Sequence, residues 1–397
     1  MRHLLSAPGI VCSLGNSRET VLAAALAGSR EGLVRLPDLV LDSQPYFGRV
    51  SGELPPIEGD FKRYDCRNNR LLLAAYQQIE DEVAAAVDRF GPSRVGVVIG
   101  SSTSGILEVE EALIEQRDTG SFPPGYYDYK QEMGTVAEFL AGHAALQSVA
   151  ITISTACSSS GKVFYSARNL IEAGICDAVV VGGADSLCRL TGNGFTALGA
   201  VAQGLPNPLS LNRDGIVIGE GAALFVLGPK ESDIELCGLG ESSDAYHISA
   251  PHPEGRGAEE CMQKALSDAE LAPADISYLN LHGTGTPHND SAESLAVHNI
   301  FGTQLPCSST KALTGHTLGA AGAIEAALCW LILSDLNQSG SLPVQVNDGV
   351  TDPELKTLNL VSAGTHLDLS RSRYLLSNSF AFGGSNVSVI LGRRVEV

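Results

Sequence analysis

Apolar positions along this 397-residue chain fall in short unbroken runs rich in Val, Ile and Leu, most of them closed by Gly, Ser or Thr. Continuous β-branched runs mark strands covered on both faces, whereas a strand with one wet face alternates. Between several runs the period changes to that of a helix, as over residues 70–87 and 258–269. Strand–helix alternation predicts the α/β class. The N-terminal run, MRHLLSAPGIVCSLGNS, is broken by Pro8 and Gly9 and predicts a first strand rather than a signal peptide.

Four elements recur in the same order in both halves. The first is a strand closing on a Gly-rich turn, RVGVVIGSSTSG from Arg94 and ISYLNLHGTGTP from Ile276. The second is a strand, a Ser/Thr-rich turn and a helix that begins with small residues. It reads AITISTACSSSGKVFYSA from Ala150 and LPCSSTKALTGHTLGAAGAIEA from Leu305. The third runs into paired glycines, in DAVVVGGADS from Asp177 and YLLSNSFAFGGS from Tyr374. The fourth is an apolar strand, GAALFVLG from Gly221 and NVSVILG from Asn386. Such recurrence points to a duplicated unit. It divides the chain into halves 1–232 and 233–397, with the seam near 229–236.

The candidate chemistry sits where the predicted strands end. Cys157, in ISTACSSS, opens a helix whose Val163, Phe164, Ala167, Leu170 and Ile171 share one face. Ser158 to Ser160 fill its first turn and Gly174 closes it. Most cysteines are inert core residues, but free N–H groups and the positive end of a helix dipole favour the nucleophilic thiolate. His282 and His316 lie on Gly/Thr-rich turns after strands, the edge where open α/β sheets bind ligands. His3, His143, His247, His252, His288 and His298 have no such setting and read as structural. Glu325 sits inside an otherwise apolar helix, so it needs Lys311, His316 or a bound monovalent cation as partner, unless that helix edge faces solvent. The glycines of FAFGGSN could aim backbone N–H groups at an oxyanion. Gly219-Glu220-Gly221 precedes a strand and no helix, so it is not a nucleotide loop.

Composition narrows the partners. Against 45 acidic residues stand only 26 Lys and Arg, a formal charge of −19, which argues against nucleic acid and anionic membrane surfaces. Only 18% of residues are charged, as in a chain that buries much of its surface against a second subunit. The 43 glycines imply many tight turns and close backbone approaches. Nine cysteines without Cys-x-x-Cys spacing predict a reducing, cytoplasmic setting and no zinc. The longest apolar run, 323–333, is too short to span a bilayer.

In their order and spacing, TACSSS, HGTGTP, KALTGHTLGAAG and NSFAFGG resemble the β-ketoacyl-acyl carrier protein synthases of the thiolase superfamily, and the likeness runs the length of the chain. The resemblance implies duplicated βαβαβαββ units in an αβαβα five-layer sandwich. It implies an elongating condensing enzyme of fatty acid, polyketide or aryl polyene synthesis. Cys157 would accept the acyl group. His282 and His316 would hydrogen-bond the malonyl thioester, Lys311 would organise them, and the N–H groups of Cys157 and Phe382 would form an oxyanion hole. Phe382 and Phe380 would gate the thiol, Phe195, residues 105–114 and the dimer partner would set pocket length, and Thr284 and Thr286 would hold the phosphopantetheine arm. Glu325 counts with the substrate-binding set. Asn280, Glu325, Ser377 and Asn378 match a monovalent-cation site seen in some members. No cofactor of the enzyme's own is implied, because the arm belongs to the carrier. The implied partners are acyl carrier protein, loaded as acyl-ACP and malonyl-ACP, and either a second copy or a ketosynthase-like chain-length subunit. An acidic carrier needs a basic dock, for which Lys62, Arg63, Arg67 and Arg70 are the densest cluster, with Arg117 and Lys130 as additions. A thiolase would carry a second cysteine where Phe382 stands, and a priming synthase an Asn in place of His316. A cysteine thioester hydrolase and a scaffold subunit are the competing readings. After Pro287 the family commonly has Gly then Asp, and this chain has His288-Asn289-Asp290.

Overall fold

Two half-sheets of one design form the core. The computed structural model describes residues 2–41, 43–228 and 232–394, so the seam expected near 229–236 lies partly outside the described residues. In the N-terminal half the strands lie in the order Ala150–Ile153, Val95–Gly100, Ala178–Asp185, Gly221–Gly228, Gly9–Cys12. In the C-terminal half the order is Pro306–Ser308, Ile276–Asn280, Arg373–Phe380, Ser385–Arg393, Ile234–Ser243. In both, the first three strands are parallel and the remaining pairings antiparallel. The four recurring sequence elements therefore occupy matching places. Leu4–Leu5 pairs with both Gly221–Gly228 and Ile234–Ser243, which joins the halves into one 12-stranded mixed sheet.

Helices cover these sheets in three layers. Arg67–Tyr76 and Thr135–His143 pack outside the N-terminal strands, and Arg256–Asp268 packs outside the C-terminal ones with Pro287–Phe301 against it. Between the two half-sheets lie Ser159–Glu172 and Ala321–Leu333, giving the expected α/β sandwich. Ala321–Leu333 is buried on every side except at half-buried Trp330, which is what an all-round apolar helix requires.

These two inner helices touch at glycine. A Cβ on Gly322 would stand 2.5 Å from the Gly161 nitrogen and 2.8 Å from its Cα. Ser160 Oγ accepts the Ala323 N–H at 2.9 Å beside that contact. The small residues that open each helix in sequence are thus the means by which two backbones meet.

Two local expectations need correction. The helix expected over 70–87 is two helices, Arg67–Tyr76 and Glu80–Phe90. Glu80, Asp81 and Glu82 crowd the start of the second, where the dipole favours negative charge, and this restart is invisible to a search for apolar period alone. The strand AITI is not covered on both faces. It lies at the sheet edge with Ile151 40% exposed, because only one neighbouring strand pairs with it among the described residues.

Gly322→Ala should destabilise the protein by about 1–3 kcal/mol, the cost of overpacking a close contact. Gly194→Ala, in a helix with nothing within 4 Å of the added methyl, should be neutral or stabilising. Urea unfolding of the two variants checks the contrast, and equal stabilities would refute the contact's importance.

Candidate active site

Strand ends bring the chemistry together. Cys157 follows the strand Ala150–Ile153 and stands immediately before the helix Ser159–Glu172, whose N-cap is Ser158. Ala156 is held at φ 52°, a left-handed conformation costly for a side-chain-bearing residue, and this sharp turn presents the thiol. Burial pushes the Cys157 thiol up to about 11. The Lys311 cation and the N–H groups of Phe382 and Cys157 pull it back, and the Asp185 carboxylate opposes them. The resting thiolate expected from helix position is therefore not present at neutral pH. Desolvation outweighs the dipole at a residue only 5% exposed.

His282 and His316 meet edge to face, with ring centroids 5.2 Å apart. Both are held well below the ordinary 6.5. Burial is the larger cause in each, and the Lys311 cation adds to it. The Nδ1 atom of each has no hydrogen-bond partner among the described residues. Two neutral imidazoles thus stand in one dry site. Their backbones are pinned from outside it. Glu293 accepts the N–H groups of His282 and Gly283 at 2.8 and 2.7 Å. The His316 N–H donates to the Val217 carbonyl at 2.6 Å, and the His316 carbonyl accepts from Gly219 N–H at 2.9 Å.

Lys311 and Glu325 form a fully buried ion pair. This supplies the partner that Glu325 required and rules out a solvent-facing helix edge. Burial raises the Glu325 carboxyl, and Lys311 draws it back. Glu325 does not line the cavity, so its place among substrate-contacting residues is corrected: it acts on Lys311.

Cys157 opens into a cavity of ≈410 Å³. His282, His316, Thr284, Thr286, Phe195, Phe380 and Phe382 line the same space. Phe380 lies 5.8 Å from the His282 ring and Phe195 lies 5.7 Å from Phe382, centroid to centroid. The Thr284 and Thr286 hydroxyls bond each other at 2.9 Å. Of the nine free cysteines, only Cys157 borders this cavity. Residues 105–114 do not.

Other residues depart from the sequence reading. His247 and His288, read as structural, are exposed and sit at the cavity wall. Pro287 opens the helix Pro287–Phe301, so His288-Asn289-Asp290 is its first turn, and there Asn289 turns its amide inward to Asp290 and Glu293, at 3.2 and 3.4 Å. Among the four residues matched to a cation site, Asn280 Oδ1, Ser377 Oγ and Glu325 Oε2 are buried without hydrogen-bond partners among the described residues. Asn378 is spent elsewhere, donating to Glu293 and accepting from Ser388.

The basic cluster is largely neutralised. Arg67 donates to buried Glu220, and Arg70 grips Asp65 at 2.6 and 2.8 Å. Lys62 reaches Asp65 at 2.6 Å but stays 66% exposed, and Arg63 lies over the Tyr64 ring. Lys130 donates to the Asp65 carbonyl and Arg117 pairs with Asp118. Lys62 and Arg63 stay exposed enough to meet a carrier, whereas Arg67 is claimed by Glu220, far along the chain, and Arg70 by Asp65, five residues before it.

Neutral burial of the two imidazoles has a pH signature. Unfolded histidine takes up a proton near 6.5, and these do not, so their contribution to stability is present above pH 6.5 and lost as pH falls. His316→Gln should make the loss of stability below that pH shallower, by up to about 1.4 kcal/mol per pH unit for one proton. Urea unfolding at a series of pH values checks it, and identical acid slopes in both proteins would refute it.

Comparison with known proteins places the chain. It matches "Beta-ketoacyl synthase, N-terminal domain" over residues 58–233 and "Beta-ketoacyl synthase, C-terminal domain" over residues 234–345. It is 30% identical to the 3-oxoacyl-[acyl-carrier-protein] synthase 2 of Staphylococcus aureus (strain MRSA252), covering 98% of each chain. It is 32% identical to synthase 1 of Haemophilus influenzae, covering 99% of each. Among solved structures, a chain of the ketosynthase ApeO in complex with its chain length factor ApeC, from Xenorhabdus doucetiae, superposes with TM-score 0.93. The identity is 42%, over 99% of this chain and 98% of that one. The ishigamide ketosynthase/chain length factor gives TM-score 0.89 at 27% identity, covering 99% of each chain. The duplicated sheets, the inner helix pair and these matches agree: the chain belongs to the β-ketoacyl synthase family.

Proposed function

We propose that the protein is a 3-oxoacyl-[acyl-carrier-protein] synthase that condenses an acyl group held on Cys157 with malonyl-ACP. The observation that carries this reading is the pair of neutral imidazoles that line one cavity together with the thiol. A hydrolase built on one cysteine and one histidine leaves the second imidazole and the Lys311–Glu325 pair without work.

The reaction divides into two stages. In the first, Cys157 Sγ attacks the thioester of acyl-ACP. The Cys157 proton leaves with the released carrier thiol, and the N–H groups of Cys157 and Phe382 hold the tetrahedral oxyanion. In the second, malonyl-ACP places its thioester oxygen between His282 and His316. Neutral N–H donors in a dry site stabilise the enolate left by departing carbon dioxide. Its carbon attacks the acyl-Cys157 carbonyl, a carbon–carbon bond forms as the thioester C–S bond to Cys157 breaks, and the released thiolate takes a proton from solvent. Thr284 and Thr286 are placed to take the arm once their mutual bond opens. Phe380 and Phe382 shield the thiol, and Phe195 narrows the space beside Phe382. Three orphaned oxygens, on Asn280, Ser377 and Glu325, suit a hard monovalent cation with a structural role, and Asn378 falls outside that set.

For partners, we assign acyl carrier protein and a second chain of the same fold, which would pair along the exposed edge strand Ala150–Ile153. The 42% identity to a chain from a ketosynthase–chain length factor complex, against 30% to a 3-oxoacyl-[acyl-carrier-protein] synthase 2, favours a chain-length subunit as that partner. No helix among the described residues is long and apolar enough to cross a membrane.

Mass spectrometry of Cys157 tests the chemistry. Acyl-ACP should leave an acyl adduct that disappears, with carbon dioxide release, only on addition of malonyl-ACP. His316→Ala should still acylate but slow decarboxylation about 10²–10³-fold, as loss of an oxyanion donor does. Free acid without condensation would show a hydrolase, and no adduct a scaffold.

The dock has a separate test. Lys62→Glu with Arg63→Glu should raise the KM for carrier substrates at low salt and spare stability. Arg67→Glu should instead cost about 3–5 kcal/mol by leaving Glu220 buried against a like charge. An unchanged KM in the double variant would reject this surface.

A further inference from the structure

A second cavity, of ≈500 Å³, shares no lining residue with the one at Cys157. Three arginines border it: Arg373, Arg393 and Arg394. Arg373 and Arg393 stand directly opposite each other on antiparallel strands, so their side chains share a face. Like charges in that position repel.

Arg393 is paired. It donates to Asp335 at 2.7 Å, to Asp233 at 3.1 Å and to the Leu333 carbonyl at 3.1 Å. Arg394 reaches Glu235 at 3.3 Å and stays half-exposed. Arg373 differs. It is only 7% exposed, its Nε has no hydrogen-bond partner, and no carboxylate lies within ion-pair distance, among the described residues. Burial and the Arg393 charge both depress its guanidinium, and Asp335 and Asp368 compensate only from a distance. Acids are not scarce in a chain of formal charge −19. Asp233 and Asp335 border the same cavity, but both are engaged by Arg393, so the Arg373 cation faces the open space without an ion-pair partner among the described residues and is arranged for an anion from outside.

We propose that this cavity binds a small phosphoryl anion, gripped by the Arg373 guanidinium with Arg393 and Arg394 at its rim. The planar five-donor fork matches tetrahedral oxyanions, and Arg373 is the one of the three not already spent on a carboxylate, while the remaining donors of Arg393 and half-exposed Arg394 border the same space.

Thermal unfolding of the full chain in inorganic phosphate, with sodium chloride holding ionic strength constant, tests this. Wild type should rise saturably, by about 3 °C at a hundredfold excess over Kd. Arg373→Met should lose that response and melt higher than wild type without phosphate, because a well-packed apolar side chain replaces an unpaired buried charge. Arg394→Met, at an exposed position, should shift saturation to higher phosphate. Pyrophosphate saturating at lower concentration than phosphate would support the multiply charged ligand. Acetate matching phosphate would overturn the phosphoryl assignment. An absent or unsaturable response, or an Arg373→Met protein that still responds, would overturn the site.

Discussion

The backbones of two helices, one from each half of the chain, touch at Gly161 and Gly322, and the site depends on that contact. Cys157 lies four residues before one glycine, and His316 six residues before the other. Bringing the helix starts together therefore brings the thiol and the imidazole together. A Cβ at Gly322 would meet the backbone of Gly161 and push the helices apart at the point where the chemistry needs them close, and one at Gly161 would meet the Val387 side chain of the strand behind it. Aligned on this pair, Leu318 is the counterpart of Cys157 and Thr155 that of His316. The duplicated framework is symmetric, and its chemistry is not: one half supplies a nucleophile where the other supplies a hydrogen-bond donor.

Buried carboxylates then fix the loops. Asp185 accepts from Ser101, Ser102, Thr103 and the Gly319 N–H, and so ties the first strand-end turn of one half to the turn after His316 in the other. Glu293 holds His282 and Gly283, and Asp290 holds Leu209 and Gly285. Burial raises all three acids, and hydrogen bonds to backbone or side-chain donors draw them back. A carboxylate satisfied by several N–H groups at once specifies a loop's shape more tightly than a single cap, because losing any one donor exposes a buried charge.

The sequence made the duplicated α/β framework, the cavity-lining motifs and the need of Glu325 for a partner legible, because each follows from local period, turn chemistry or burial of charge. The rest depended on contacts distant along the chain. Nothing near Arg67 in sequence predicts Glu220, 153 residues on, as its partner. Asn378 follows Ser377 on a strand, so the two side chains face opposite ways, and strand alternation already implied that they could not share one ligand. Asp185, after a run of buried small residues, carried a readable signal, since an acid at the end of a fully buried strand must be satisfied. His247 carried none. Its place at the cavity comes from the fold of an exposed loop.

The electrostatics of the resting site follow from its dryness. Desolvation keeps the thiol protonated and both imidazoles neutral, and it confines fixed charge near them to Lys311 with Glu325 and to Asp185. Charge then develops only as bonds change, and the groups that stabilise it are already in place, so little reorganisation is needed when it appears. Lys311 acts second to burial on all three groups. Its cation favours the Cys157 thiolate, against the desolvation that opposes it, and adds to the desolvation that disfavours both imidazolium forms. Glu325 lets that cation survive burial. Removing the carboxylate alone would leave the lysine charge buried without a partner, which costs more than the pair itself.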